Sequence, residues 1–232
     1  MVRPDFAHTG LARLEGRDLR FLIENFPGNK KSYEEVAEVI HQIPTTLESM
    51  LDSDYVFHSL TREHQPLLDV SPFLLFNVLL RRSVERKHCQ GSRRVVNYIA
   101  NVLSLFTSVE RCDRIRRTDA SGTEYIVDMI AQTQTADSQR RFLIYSHIGN
   151  YSLYKTGLYA RWISYRHRYQ RRPLNIDYYL EQGQTYYAQA SNHALAVEFG
   201  LREVFTQLAE TFDYYRQALN RMTSRYLELG QA

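Results

Sequence analysis

The residues best placed to do chemistry in this chain are histidines, tyrosines and one lysine in its second half. His147, Asn150, Tyr151 and Tyr154 are spaced so that, on a helix, they share one face, and Lys155 follows directly. Further on, Tyr179, Tyr186 and His193 recur every seven residues beside the small residues Gly183, Ala190 and Ala194. If two such helices face each other, imidazoles, phenols, a carboxamide and an ammonium converge on a cleft suited to a small anionic or planar ligand. Small residues at Ser146, Gly149, Thr156, Gly157 and Ala160 would let a neighbouring backbone or a ligand approach closely. The candidate ligand-binding set is therefore His147, Asn150, Tyr151, Tyr154, Lys155, Tyr186 and His193. A plainer arrangement buries the tyrosine rings, satisfies their hydroxyls inside the bundle and hydrogen-bonds the histidines in place; ordinary tyrosine usage at helix contacts favours it.

A second set concerns charge. The net charge of +3 is too mild to imply a nucleic-acid partner, because phosphate recognition needs clustered charge. The distribution is more telling. Between Glu34 and Asp69 eight acids face one base, Arg62, whereas Arg140 to Arg172 holds eight bases and no Asp or Glu. Of 17 tyrosines only Tyr33, Tyr55, Tyr98 and Tyr125 precede residue 140. The run from Arg161 to Tyr169 interleaves guanidinium groups, which pair with phosphate oxygens, and rings, which stack on bases. Arg161, Trp162, Arg166, Arg168 and Arg172 thus form the candidate set for an anionic partner, a nucleic acid or an acidic protein. No nucleic-acid-binding module is recognisable around them. Here too a plainer arrangement competes: Leu158, Trp162, Tyr165 and Tyr169, spaced four, three and four, turn inward, while Arg161, Arg168 and Arg172 solvate the opposite face or pair with the acidic helices. One-sided charge is common on amphipathic helices, which favours that arrangement.

Other motifs carry less. Glu38-x-x-His41 and Glu85-x-x-His88 have the spacing of carboxylate-bridged di-iron bundles, but they fall off the apolar stripes of their segments, so no metal site is assigned. His88-Cys89 lacks further spaced ligands. Nucleophile-elbow, phosphate-loop, dinucleotide and zincin patterns are absent, which lowers the expectation of an enzyme without removing it, and no cofactor is expected. Two cysteines, Cys89 and Cys112, point to a reducing compartment. The stretch Met1 to Gly16 lacks a signal-peptide core, and the apolar run Val70 to Leu80 is too short to span a bilayer. A cytoplasmic protein without a membrane span is expected.

The elements that must hold these residues read as helices. With 44% apolar and 24% charged residues the 232-residue chain has an ordinary globular balance, and 10 glycines and 6 prolines sit at helix boundaries. Ser32 and Glu35 form a capping box before Val36, Val39, Ile40, Ile43 and Leu47. Ser71-Pro72 opens a helix from Phe73 to Lys87, which Gly91 closes, and Ser92 begins another carrying Val95, Val96, Ile99, Val102, Leu103 and Phe106. Glu124 to Gln134 follows. Gln139 to Tyr169, capped by Asp137, runs until Pro173 stops it, and Asn175 or Asp177 opens a helix to about Val197. After Gly200, Leu201 to Leu229 forms a long amphipathic helix with Phe212, Tyr215 and Leu219 available for a homodimer axis. No period-two pattern suggests a sheet. The expectation is one all-α domain over 1–232, an irregular multi-helix bundle of about eight or nine helices, with Arg111 to Thr123 as the place for any subdomain boundary. The function it implies is a non-enzymatic regulatory or adaptor protein whose basic, tyrosine-rich C-terminal helices bind an anionic partner; the alternative is a small-molecule-binding protein or enzyme built on the His147 and His193 cleft.

Overall fold

The computed structural model describes residues 2–25, 44–61, 69–84, 86–123, 125–169 and 174–227, and among them it is all-helical, with no strand. Thirteen helices occur there: α1 (Gly16–Glu24), α2 (Pro44–Leu51), α3 (Asp54–Thr61), α4 (Pro72–Ser83), α5 (Arg86–Phe106), α6 (Val109–Asp113), α7 (Ile126–Thr133), α8 (Ser138–Leu158), α9 (Ala160–Tyr169), α10 (Ile176–Ser191), α11 (Ala194–Glu198), α12 (Arg202–Glu210) and α13 (Phe212–Tyr226). The helical bundle expected from sequence is present, in more and shorter pieces.

Local chemistry sets several boundaries. Ser71 caps α4 by accepting the Leu74 amide at 3.2 Å, with Pro72 in the first turn. Asp137 accepts the Arg140 amide at 2.6 Å to open α8, and Asn175 accepts the Tyr178 amide at 2.9 Å to open α10. Gly200, at φ +67, supplies the left-handed turn before α12 that a side chain would disfavour. Four boundaries differ from expectation. α4 ends at Ser83 and α5 begins at Arg86, so Gly91 lies inside a helix instead of closing one. The expected Gln139 to Tyr169 helix is two, because Tyr159 leaves helical geometry at φ −117, ψ 27. The helix from Asn175 stops at Ser191, and His193 caps the short α11. The long final helix is also two, broken at Thr211 (φ −120, ψ 30), whose hydroxyl donates to the Gln207 carbonyl.

α8 is the central post. Its buried residues, from Phe142 through Gly157, point all round its axis, as expected of a helix enclosed by neighbours. α10 packs along it, α12 lies on α10 and α5, and α13 lies on α8 and α4. Leu201, Val204, Leu208, Phe212, Tyr215, Leu219 and Met222 are all buried within this one chain, so the stripe expected to serve a dimer axis is already covered. α4 presents Phe73, Phe76, Leu79 and Leu80 to the main core and Leu74 and Val78 to a smaller cluster built with Leu22, Ile23, Met50, Leu51, Val56 and Leu60.

The acids in and just after α2 are neutralised locally. Arg81, buried on α4, donates to Glu48 at 2.5 Å, to Asp52 at 2.9 Å and to Asn77 at 2.6 Å, and Arg93 donates to Asp52 at 2.9 Å. Asp18 ties α1 to α4 by accepting from the Ser71 amide and hydroxyl, both at 2.7 Å.

Candidate functional site

The two helices expected to face each other do so: α8 and α10 run in extensive contact. Their small residues explain how. A Cβ on Gly149 would stand 2.8 Å from the Tyr187 ring, one on Gly157 2.6 Å from Leu219, and one on Gly183 2.3 Å from the Phe212 ring. Each glycine is filled by a neighbouring side chain.

The residues predicted on one face of α8 separate into different surroundings. Asn150 is buried, and its Oδ1 accepts from the hydroxyls of Tyr98 on α5 and Tyr187 on α10, each at 2.8 Å. Burial raises the pKa of both phenols, so they stay neutral donors. Phe205 packs against both rings, 5.5 Å from each. Neither Tyr98 nor Tyr187 was among the predicted residues; the signal in sequence was only that both lie at helix-contact positions. His147 turns the other way, toward Phe106 at 5.7 Å, and its Nε2 has no hydrogen-bond partner among the described residues. Burial, helped by the Arg111 cation, pushes its pKa down to about 3, so the imidazole is neutral. Nearby, burial pushes the Cys112 thiol up to about 12, which makes it a poor nucleophile.

Tyr151 is buried with the Lys155 ammonium 5.0 Å above its ring, and Tyr154 shares a 3.2 Å hydrogen bond with Tyr159. Tyr186 packs on Tyr145 at 5.5 Å. His193 belongs to the turn after α10, where Nδ1 accepts the Leu195 amide and Nε2 meets the Ser138 hydroxyl at 3.0 Å. The seven-residue repeat from Tyr179 to His193 therefore does not continue on one helix, because α10 ends two residues before the imidazole.

The basic segment is arranged differently from the inward packing its spacing favoured. On α9 only Ile163 is buried. Trp162, Tyr165 and Tyr169 are 44%, 55% and 65% exposed, and Arg161 and Arg168 are exposed beside them. The Arg166 guanidinium lies 4.4 Å over the Trp162 ring, Lys155 approaches the same ring at 5.9 Å, and Tyr165 and Tyr169 stand 5.0 Å apart. Among the described acids of the Glu34 to Asp69 stretch, Glu48, Asp52 and Asp54 pair with Arg81, Arg82 and Arg93. Tyr165 and Tyr169 join the predicted set here; their three- and four-residue spacing had read as an inward stripe.

Arg172, Glu38, His41 and Glu85 lie outside the described residues, as do the side chains of His88 and Cys89, the Ser32 and Glu35 capping box, and Leu229. Among the described residues no group of His, Cys, Asp and Glu could hold a metal ion, and no helix is long and apolar enough to cross a membrane. Compared with protein-family models, with curated proteins and with solved structures, the chain finds no match. What fold and surface define together is an all-α helical protein carrying a short, outward-facing cationic and aromatic helix on a tightly packed core.

Proposed function

We propose that this protein is a non-enzymatic adaptor or regulatory protein that binds an anionic partner through α9. The observation that carries the reading is the exposure of Trp162, Tyr165 and Tyr169 next to Arg161, Arg166 and Arg168 on a segment without a single carboxylate. Large rings on successive turns of one helix that keep about half of their surface in water leave apolar area unburied in the free protein, and contiguous patches of this kind mark contact surfaces. The buried surroundings of His147, Asn150 and Tyr151 support a structural role for them in this reading. A reducing, cytoplasmic setting belongs to the same proposal, on the scarcity of cysteine. One chain suffices for the surface; a homodimer through Leu201 to Leu229 is not needed to build it.

The test is fluorescence anisotropy of labelled heparin and labelled polyglutamate against the full chain over a salt series. Binding is expected to weaken steeply with salt, and Arg161→Ala/Arg168→Ala to weaken it further while leaving circular dichroism unchanged. Salt-independent binding, or none to either polyanion, sinks the reading.

A further inference from the structure

We infer that the anionic partner of α9 is a single-stranded nucleic acid, held by its phosphates on the arginines and by its bases on the rings; the inference rests on the anionic-partner reading above. Helical spacing sorts the exposed side chains into two strips. Arg161 and Arg168 are seven residues apart and so lie on one line along the helix, about 10 Å apart in rise. Trp162, Tyr165 and Tyr169, separated by three and four residues, form a second line of equal length beside it. A cationic strip flanking an aromatic strip is what a single strand requires, because its backbone and its unpaired bases leave on opposite sides. About 10 Å covers three stacked bases at roughly 3.4 Å each, matching three rings.

Other occupants use only part of this surface. An acidic peptide would satisfy the arginines and leave the rings without bases to stack on. A membrane surface would seat the rings at its interface without stacking bases on their faces, so anionic vesicles enter the titration as a competitor, and binding of vesicles in place of oligothymidylate overturns the assignment. In a duplex the base faces are already stacked, so the rings would find nothing to cover.

The chain contains one tryptophan, Trp162, so its emission reports directly on this surface. The experiment titrates the full chain with a fifteen-nucleotide oligothymidylate, with the corresponding duplex and with heparin, following tryptophan emission and anisotropy. Expected are quenching by the single strand alone, tighter binding of the single strand than of the duplex, and a log–log salt slope of about −1.4 for the two contacts of Arg161 and Arg168. Tyr165→Ala/Tyr169→Ala is expected to weaken oligothymidylate binding tenfold or more, since each stacked base is worth about 1–3 kcal/mol, with heparin binding held within twofold. If heparin and the single strand bind alike, without quenching and without sensitivity to the ring substitutions, the nucleic-acid assignment falls while the anionic-partner reading stands. Equal affinity for the duplex also overturns it. Binding to none of the three polyanions removes both.

Discussion

Asn150→Leu removes one oxygen that two buried phenols share, and its cost follows from the geometry. Asn150 Oδ1 accepts from Tyr98 and Tyr187 at 2.8 Å each, and both tyrosines are wholly buried. Leucine has the same number and branching of side-chain heavy atoms as asparagine, so no cavity forms; the loss falls on the hydroxyls, with any overpacking adding to it. A buried donor left without an acceptor costs about 1–3 kcal/mol, so two cost about 2–6 kcal/mol, a large part of the roughly 5–15 kcal/mol that holds a typical domain together. Equilibrium urea unfolding followed by far-ultraviolet circular dichroism measures this directly. The companion variant Asn150→Leu/Tyr98→Phe/Tyr187→Phe deletes both donors along with the acceptor and should recover most of the loss, because replacing all partners by apolar groups is close to neutral. If Asn150→Leu costs less than about 1 kcal/mol, or if the triple variant is no more stable than the single one, the three residues are not a closed hydrogen-bonded unit. An Asn150 open to a ligand would give the first of those outcomes.

Two further perturbations test the same core. Gly183→Ala places a methyl group 2.3 Å from the buried Phe212 ring, and although alanine favours a helix by about 1 kcal/mol, overpacking should leave a net loss of about 1–3 kcal/mol in thermal unfolding; an unchanged melting temperature counts against the crossing described here. His147 is held neutral, with its pKa lowered from 6.5 to about 3, so between those values the unfolded chain binds the extra proton and stability falls as the pH falls, by up to about 1.4 kcal/mol per pH unit. Unfolding free energies measured from pH 7 to 4 should show this slope, and His147→Phe should flatten it; a wild-type slope that survives the substitution assigns the pH dependence to other groups.

The parts of the fold legible in sequence are those fixed by neighbours in the chain. Ser71-Pro72, Asp137, Asn175 and Gly200 each act on amides or dihedral angles within a turn of themselves, so their roles can be read without knowing the rest of the molecule. The breaks at Tyr159, Asn192 and Thr211 carry neither glycine nor proline. They are set by what the flanking helices must reach: Phe212 has to seat its ring over Gly183 on α10, and Leu219 has to seat over Gly157 on α8. Gly91 failed as a stop signal because a helix tolerates a glycine at a cost of about 1 kcal/mol, less than a long packed α5 returns.

The same distinction holds for the candidate residues. Spacing places His147, Asn150 and Tyr151 on one face of α8, but a helix enclosed on all sides has no single inner face, so residues three or four apart can meet different neighbours. On α9 the spacing of Leu158, Trp162, Tyr165 and Tyr169 favours turning the rings inward. The direction in which the chain leaves Tyr159 reverses that preference: with Tyr154 and Tyr159 already packed together at the end of α8, α9 seats Ile163 and faces its rings outward. Burying a large ring is worth about 1.5–3 kcal/mol, so three exposed rings represent stabilisation that the free monomer does without. Single exposed aromatics are ordinary on any surface, but three on consecutive turns, flanked by arginines and free of acids, form a contiguous patch whose burial is available to a partner.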